Sequence, residues 1–395
     1  MAEFQISSSG GICLMSRETE SGKGRIPAID LARFYAMALV FYGHFIERFM
    51  LLKNPAGFAQ YKFIYSFHMV AFFVLAGYVI RESDITLPFG KYVKHRFISR
   101  LLPFLFFTSI FMVLPLFFPG EFPGIKLPGV EGYLKGLLNT VFGIPLFCVP
   151  SWFILMLFSV ELLHYGAFRF LQSNSRILIG AVVFYVVGYW LNLKLDIFNP
   201  MKGRVIGWNY LFIHEAITMY AFYLMGIYLR RRKFLIEKIS PNILVPGVVI
   251  TFLIVLFTYK LNTGPFNFSA YDAVVIIFSS HGNFLWFPVS AVAGSFLLFF
   301  LGKITPSQKT IIWMGQNTLI LMCLNGIFYH YINGPVAKWV LDTLPGSGLT
   351  VFLAGCLMTV ISLAICIPMI YLLDKFVPQL VGRPRLNGPW LKNFI

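Results

Sequence analysis

Apolar residues run through this chain in blocks of 17 to 27, separated by short polar, Pro- and Gly-containing breaks. A helix needs about 20 predominantly apolar residues to cross a bilayer. The blocks at 27–47, 62–80, 101–119, 151–169, 177–193, 209–229, 242–259, 284–302, 311–332 and 347–373 therefore predict ten membrane spans. Two further apolar stretches, Leu137–Val149 and Tyr271–Ser279, are too short to cross and leave a re-entrant or loop assignment open. The expected fold is all-α: a polytopic integral membrane helix bundle of about ten transmembrane helices.

Composition agrees with the pattern. Of 395 residues 58% are hydrophobic and only 12% charged, against roughly 25% charged in soluble chains. The net charge of +16 does not by itself point to nucleic acid, because basic residues accumulate on cytoplasmic loops of membrane proteins. Alternating the ten spans from the N-terminus puts 21 Lys and Arg on the N-terminal side and 10 on the other, with Arg33 inside the first span. That asymmetry predicts both termini in the cytoplasm. Residues 1–25 are polar and lack the apolar stretch of a signal peptide, so they read as a disordered cytoplasmic tail. The transmembrane domain is expected over 26–376 and a second cytoplasmic tail over 377–395. The five cysteines show neither paired spacing nor histidine partners, which supports neither a disulfide framework nor a metal site. The outer loops read as irregular, no internal repeat is visible, and no soluble domain of useful size exists, so any chemistry must be built between helices.

Polar residues inside the apolar blocks narrow the search, because intramembrane ionisable groups are costly and mark functional sites by default. Arg33 and His44 share a face of the first span, eleven residues or roughly 16 Å apart along its axis. His68 lies at a similar depth on the second span. Glu47, at i+3 from His44, is placed to hold the imidazole tautomer or, equally, to face the headgroups. Arg96 and Arg100, at i and i+4, share one face of a short interfacial helix that Pro103 is expected to separate from the third span. Two guanidiniums on one face suit phosphate, although basic decoration of a cytoplasmic surface explains them as well. The run Arg230–Lys233 is a weaker candidate, of the kind that usually stops a span. Trp152 at the start of the fourth span is an aromatic anchor or a sugar platform; Glu161 near its middle needs a partner. His214, Glu215 and Asn325 are further polar residues in apolar surroundings, readable as bundle glue.

Together these features resemble the membrane acyltransferase-3 family, and in places its fucose acetylase-like branch. Ile29-Asp-Leu-Ala-Arg33 followed by ten residues and His44 is similar to the family's first-span motif. Tyr65-Ser-Phe-His68 through Gly77-Tyr78 resembles its second span, and Arg96…Arg100-Leu-Leu-Pro103 its basic segment. Ser151-Trp-Phe-Ile154 and Trp313-Met-Gly-Gln-Asn-Thr-Leu319 resemble later blocks. Three positions depart: Ala76 replaces the usual serine before Gly77, the arginine pair is spaced by three residues rather than two, and Asn325 stands where relatives often have histidine.

The resemblance implies transfer of an acyl group, usually acetyl from acetyl-CoA, to a hydroxyl of a cell-surface or lipid-linked carbohydrate. It implies a multi-pass protein of the bacterial inner membrane that needs no metal. His44 would serve as general base or transient acyl carrier, with Arg33 and Glu47 beside it in catalysis. Arg96, Arg100 and Arg33 would meet the CoA phosphates, and His68, Trp152, Glu161 and Asn325 would contact the acceptor. Membrane lipid is an expected partner and nucleic acid is not. A transporter or lipid-linked sugar flippase using the same intramembrane charges is the rival reading.

Overall fold

The computed structural model describes residues 25–127, 129–194, 210–234, 239–268 and 270–395. The tail expected at 1–25, Arg25 apart, lies outside the described residues, as do Lys202 and Arg204. Among the described residues nine helices are long and apolar enough to cross a membrane: Pro27–Leu51, Pro55–Val79, Phe89–Leu116, Val149–Phe170, Asn174–Lys194, Tyr210–Arg231, Pro241–Leu261, Trp286–Ile304 and Gly348–Phe376. Lys309–Gln316 and Thr318–Thr343, bent by 78°, are apolar and long enough together to cross, and counted as one span they bring the total to ten. In chain order these are the first to tenth spans, the bent pair being the ninth. The fold is the expected all-α membrane bundle.

The apolar window of the first, second, fourth and sixth spans is 67% to 72% buried, against 22% to 28% for the third, fifth and seventh. The polar candidates His44, His68, Glu161 and Glu215 all lie on the four inner spans, which is where protein rather than lipid can satisfy them. The outer spans turn bare Leu, Ile, Val and Phe outward, as lipid-facing helices do.

Small residues set the closest approach. A Cβ on Gly77 of the second span would lie 1.9 Å from the Tyr223 carbonyl oxygen of the sixth. One on Gly226 would lie 2.0 Å from the Val74 oxygen. The two backbones therefore meet at a reciprocal pair of glycines, the arrangement that lets membrane helices pack without a hydrophobic driving force between them.

Three spans differ from their sequence outlines. The second begins at Pro55 and breaks at Ser66–Phe67, where Phe67 takes φ −147° and ψ −31° before the helix restarts at His68. The third has no separate interfacial helix: Phe89–Leu116 is continuous, and a π-helical turn at Phe97–Leu101 absorbs the transition. Pro103 is tolerated there because it sits in the first turn of the α-helix Leu102–Val113, where its missing N–H costs little. In the ninth, Asn317 breaks the helix, and a second π-turn occupies Phe328–Ile332.

The two ambiguous stretches also resolve. Val130–Val141 is an amphipathic helix in the loop after the third span, packing Gly136 on Phe147 and leaving Leu134 and Leu138 bare. That loop is therefore not wholly irregular. The stretch 271–279 forms a short turn closed by the bridge Val275–Ser280, and it is apolar because Ala273–Ile276 plug into the bundle. Both ends of the described chain lie on one face: Gln316 donates to Asp30 (3.0 Å), and Arg383 joins Asn317 (2.6 Å) to Asp374. Residues 377–395, expected as a tail, return onto the bundle with Gln379 and Val381 buried.

Candidate active site

The first span has good reasons to be a helix throughout: Pro27 opens it, Asp30 sits in its positive first turn, and Arg48 sits in its negative last turn. His44 and Arg48 are four residues apart and so share a face, and on the ninth span Asn325 and Tyr329 do the same. These two faces meet.

His44 is buried, and its Nδ1 hydrogen-bonds the Asn325 side-chain oxygen. An amide oxygen only accepts, so the ring donates from Nδ1 and Nε2 carries the lone pair. The edge of the imidazole stands against the Tyr329 ring, with centroids 5.0 Å apart. Arg48 lies over the same ring, 4.7 Å from its centroid, donates to the Tyr329 carbonyl oxygen, and pairs with Glu121 at 2.8 Å. Glu121 brings the loop after the third span with it. Its N–H donates to the His330 carbonyl at 2.7 Å, His330 Nδ1 donates to its carbonyl at 2.8 Å, and Phe122 stacks on His330 at 4.5 Å. A cation, a carboxylate and a stacked pair thus close the site at the end away from the chain termini.

Glu47 does not take the role expected of it. Its carboxylate accepts from Tyr65 (3.2 Å) and Tyr329 (3.4 Å), while the Nδ1 partner of His44 is Asn325. The geometry explains the difference: i+3 turns Glu47 toward the second span, where Tyr65 packs across Gly43. Tyr65 also stands edge-on to His68, 4.8 Å between centroids. His68 donates from Nδ1 to the Ile64 carbonyl at 2.8 Å, which at this break also accepts from the Phe67 N–H at 3.3 Å. Its Nε2 is therefore also an acceptor. Asn325, expected against an acceptor, is the hydrogen-bond partner of His44, and among the described residues its buried Nδ2 has no hydrogen-bond partner.

Arg33, Arg96, Arg100 and Glu161 belong to a second polar group, nearer the face that carries the chain termini. Glu161 is buried and accepts from Arg100 through Nε (3.2 Å) and Nη2 (2.8 Å) and from Arg96 through Nη1 (3.4 Å). Arg96 also reaches Asp84 at 3.1 Å and lies over Tyr92, whose hydroxyl donates to the Glu161 carbonyl. Two arginines face two carboxylates, so the cluster is formally neutral. The two arginines, at i and i+4, converge on one acid across the π-turn Phe97–Leu101. Arg33 pairs loosely with Asp30 at 3.8 Å. Trp152 sits in the core against Phe153 and Phe212, and its ring contacts do not include the residues around His44.

Arg48, Tyr329, Tyr65 and Glu121 were not singled out as site residues in the sequence. Arg48 reads there as an ordinary charge at a span end, although its i+4 relation to His44 was available. A third polar group joins the fifth and sixth spans to the loop before the eighth: Glu215 accepts from His281 (2.7 Å) and Asn192 (2.9 Å), and His214 meets Ser279 (2.9 Å). Among the described residues no three His, Cys, Asp or Glu side chains converge as a metal site.

No curated protein and no solved structure matches the chain. A family model described as an acyltransferase domain matches residues 26–371, which takes in the first nine spans, most of the tenth, and the polar groups around His44 and Glu161. That match covers most of the 395 residues, and the chain belongs to the acyltransferase-3 family of membrane acyltransferases.

Proposed function

We propose that the protein transfers an acyl group, acetyl from acetyl-CoA, to a hydroxyl of a cell-surface or lipid-linked carbohydrate, with His44 as the proton acceptor. The observation that carries this reading is the His44–Asn325 bond, which leaves the lone pair on Nε2 of a buried ring. In the reaction the acceptor oxygen attacks the thioester carbonyl while its proton passes to His44 Nε2. The tetrahedral intermediate collapses, the C–S bond breaks, and the CoA thiolate recovers the proton from the imidazolium. Asn325 Nδ2, a buried donor with no hydrogen-bond partner among the described residues, adds a second polar group on the Nδ1 side of the ring. The same lone pair would serve an acyl-histidine route, in which Nε2 attacks the thioester first.

The donor enters from the face that carries the termini, where Arg33, Arg96 and Arg100 lie. Because Arg96 and Arg100 are already committed to Glu161 and Asp84, they engage phosphate only with the hydrogen-bonding capacity those carboxylates leave over. The acceptor reaches His44 from the opposite face, past Glu121, with His68 and Trp152 further inside.

The test is thiol release from radiolabelled acetyl-CoA by purified protein in detergent, wild type against His44→Ala. His44-dependent release is expected. Equal release by both proteins overturns the assignment of His44, and absence of both binding and release overturns the acetyl-CoA reading in favour of transport.

A further inference from the structure

A cavity of about 340 Å³ opens at the terminal face between the second, fourth, fifth and sixth spans, apart from the His44 site. Ligand pockets start at about that size. Its walls are apolar, from Ile85, Leu171, Ile177, Leu224 and Ile227. Its rim is cationic: Arg230, Arg231 and Lys233 line it, and among the described residues none of the three has a carboxylate partner. Arg231 donates to the Gln172 carbonyl at 2.8 Å, which fixes one guanidinium at the mouth. Arg96 and Arg100, by contrast, are ion-paired to Glu161.

We infer that this cavity binds an anionic phospholipid, its phosphate on Arg230, Arg231 and Lys233 and part of an acyl chain among the aliphatic walls. Three features favour a lipid over a soluble nucleotide. The cations follow directly on the sixth span, at the level where headgroup phosphates lie. The fifth span, which supplies Ile177, turns Leu178 and Ile179 bare toward the bilayer (44% and 63% exposed), so the cavity wall continues into lipid. Six of the eleven lining residues are aliphatic, which suits an acyl chain, while a base would have Phe168 and His164 alone to stack on. The site also touches the catalytic bundle: His164 lines it, holds Tyr220 through Nδ1 at 2.9 Å, and lies one turn beyond Glu161. Lipid binding in this cavity is independent of the identity of donor or acceptor.

The experiment is native mass spectrometry of the full chain in detergent, titrated with phosphatidylglycerol or phosphatidylcholine, with CoA as competitor. Wild type is expected to retain one phosphatidylglycerol, bound at least tenfold more tightly than phosphatidylcholine. Arg230→Gln/Lys233→Gln, which alters only partly or fully exposed rim residues, should abolish that preference. Ile227→Trp, which fills the apolar part, should lower retention with the charges intact. Equal phosphatidylglycerol binding by wild type and both variants overturns the inference. So does displacement of the lipid by CoA at equal concentration, which would assign the cavity to the donor nucleotide.

Discussion

At the residue scale, one hydrogen bond decides what His44 can do. Asn325 accepts from Nδ1, and a ring held that way presents a basic nitrogen, whereas a ring whose Nδ1 accepted would present an N–H. On the proposed chemistry, His44→Ala should lower kcat by about 10²–10⁴-fold, the usual size of a general-base contribution. Asn325→Ala removes the orienting partner but not the base. A lost buried hydrogen bond of about 1–3 kcal/mol corresponds to roughly a 5- to 150-fold fall in kcat with donor KM little changed. Steady-state rates on the two purified variants check this, and a smaller effect for His44→Ala than for Asn325→Ala would reverse the roles of base and orienting partner. Much of this site was legible in the sequence. Arg33, His44 and His68 stand out because a polar group in an apolar block is expensive wherever the helix packs. The His44–Asn325 contact was not legible, since the residues are 281 positions apart and only the packing of the first against the ninth span joins them. Glu47 was misassigned because a shared helix face fixes a direction only to within a quarter turn, and Tyr65 and Tyr329 compete for its carboxylate.

At the scale of elements, two features frame the site: a close crossing and a π-helical turn. The Gly77–Gly226 crossing brings the second and sixth spans to backbone contact. Gly226→Val would force a side chain into the Val74 carbonyl, and overpacking of this kind typically costs about 1–3 kcal/mol or more. A fall in detergent thermal stability with loss of monodispersity is expected, whereas Gly90→Ala, where a Cβ meets nothing within 4 Å, should be silent. Across the π-turn at Phe97–Leu101 two arginines converge on Glu161. Removing the acid alone leaves two partly buried guanidiniums facing each other, and breaking a buried pair costs about 3–5 kcal/mol. Glu161→Gln should therefore destabilise strongly, and Arg100→Gln placed on top of it should recover part of the loss. Additive losses in that double-mutant cycle, read by thermal unfolding, would mean that the acid and Arg100 are not coupled. Apolar blocks specify where helices run but not where they break. The sequence outlines consequently missed the interruptions at Ser66–Phe67 and Asn317 and both π-turns, which are set by backbone hydrogen bonding that an apolar pattern does not record.

At the scale of the whole molecule, the two polar groups divide the bundle along its axis. Arg33, Arg96, Arg100 and Glu161 lie toward the face where Asp30, Gln316, Asn317 and Arg383 tie both ends of the described chain together. His44, Arg48 and Glu121 lie toward the other. For a donor made in the cytoplasm and an acceptor outside it, this division is useful only in one orientation: the terminal face must be cytoplasmic. The basic excess of that side argues the same way on independent grounds, because it reflects insertion rather than catalysis. A cysteine-free background carrying a single cysteine at Glu131, exposed on the amphipathic loop helix, should label with a membrane-impermeant maleimide in intact cells. One at exposed Lys392, on the C-terminal segment, should label only after the membrane is opened. The reverse pattern would put His44 on the cytoplasmic side and Arg96 outside. The charge asymmetry would then have failed, and the acceptor would have to be a nucleotide-linked or lipid-linked sugar acylated before export. The family match would survive that outcome, because it fixes the class of protein and not the side on which transfer occurs.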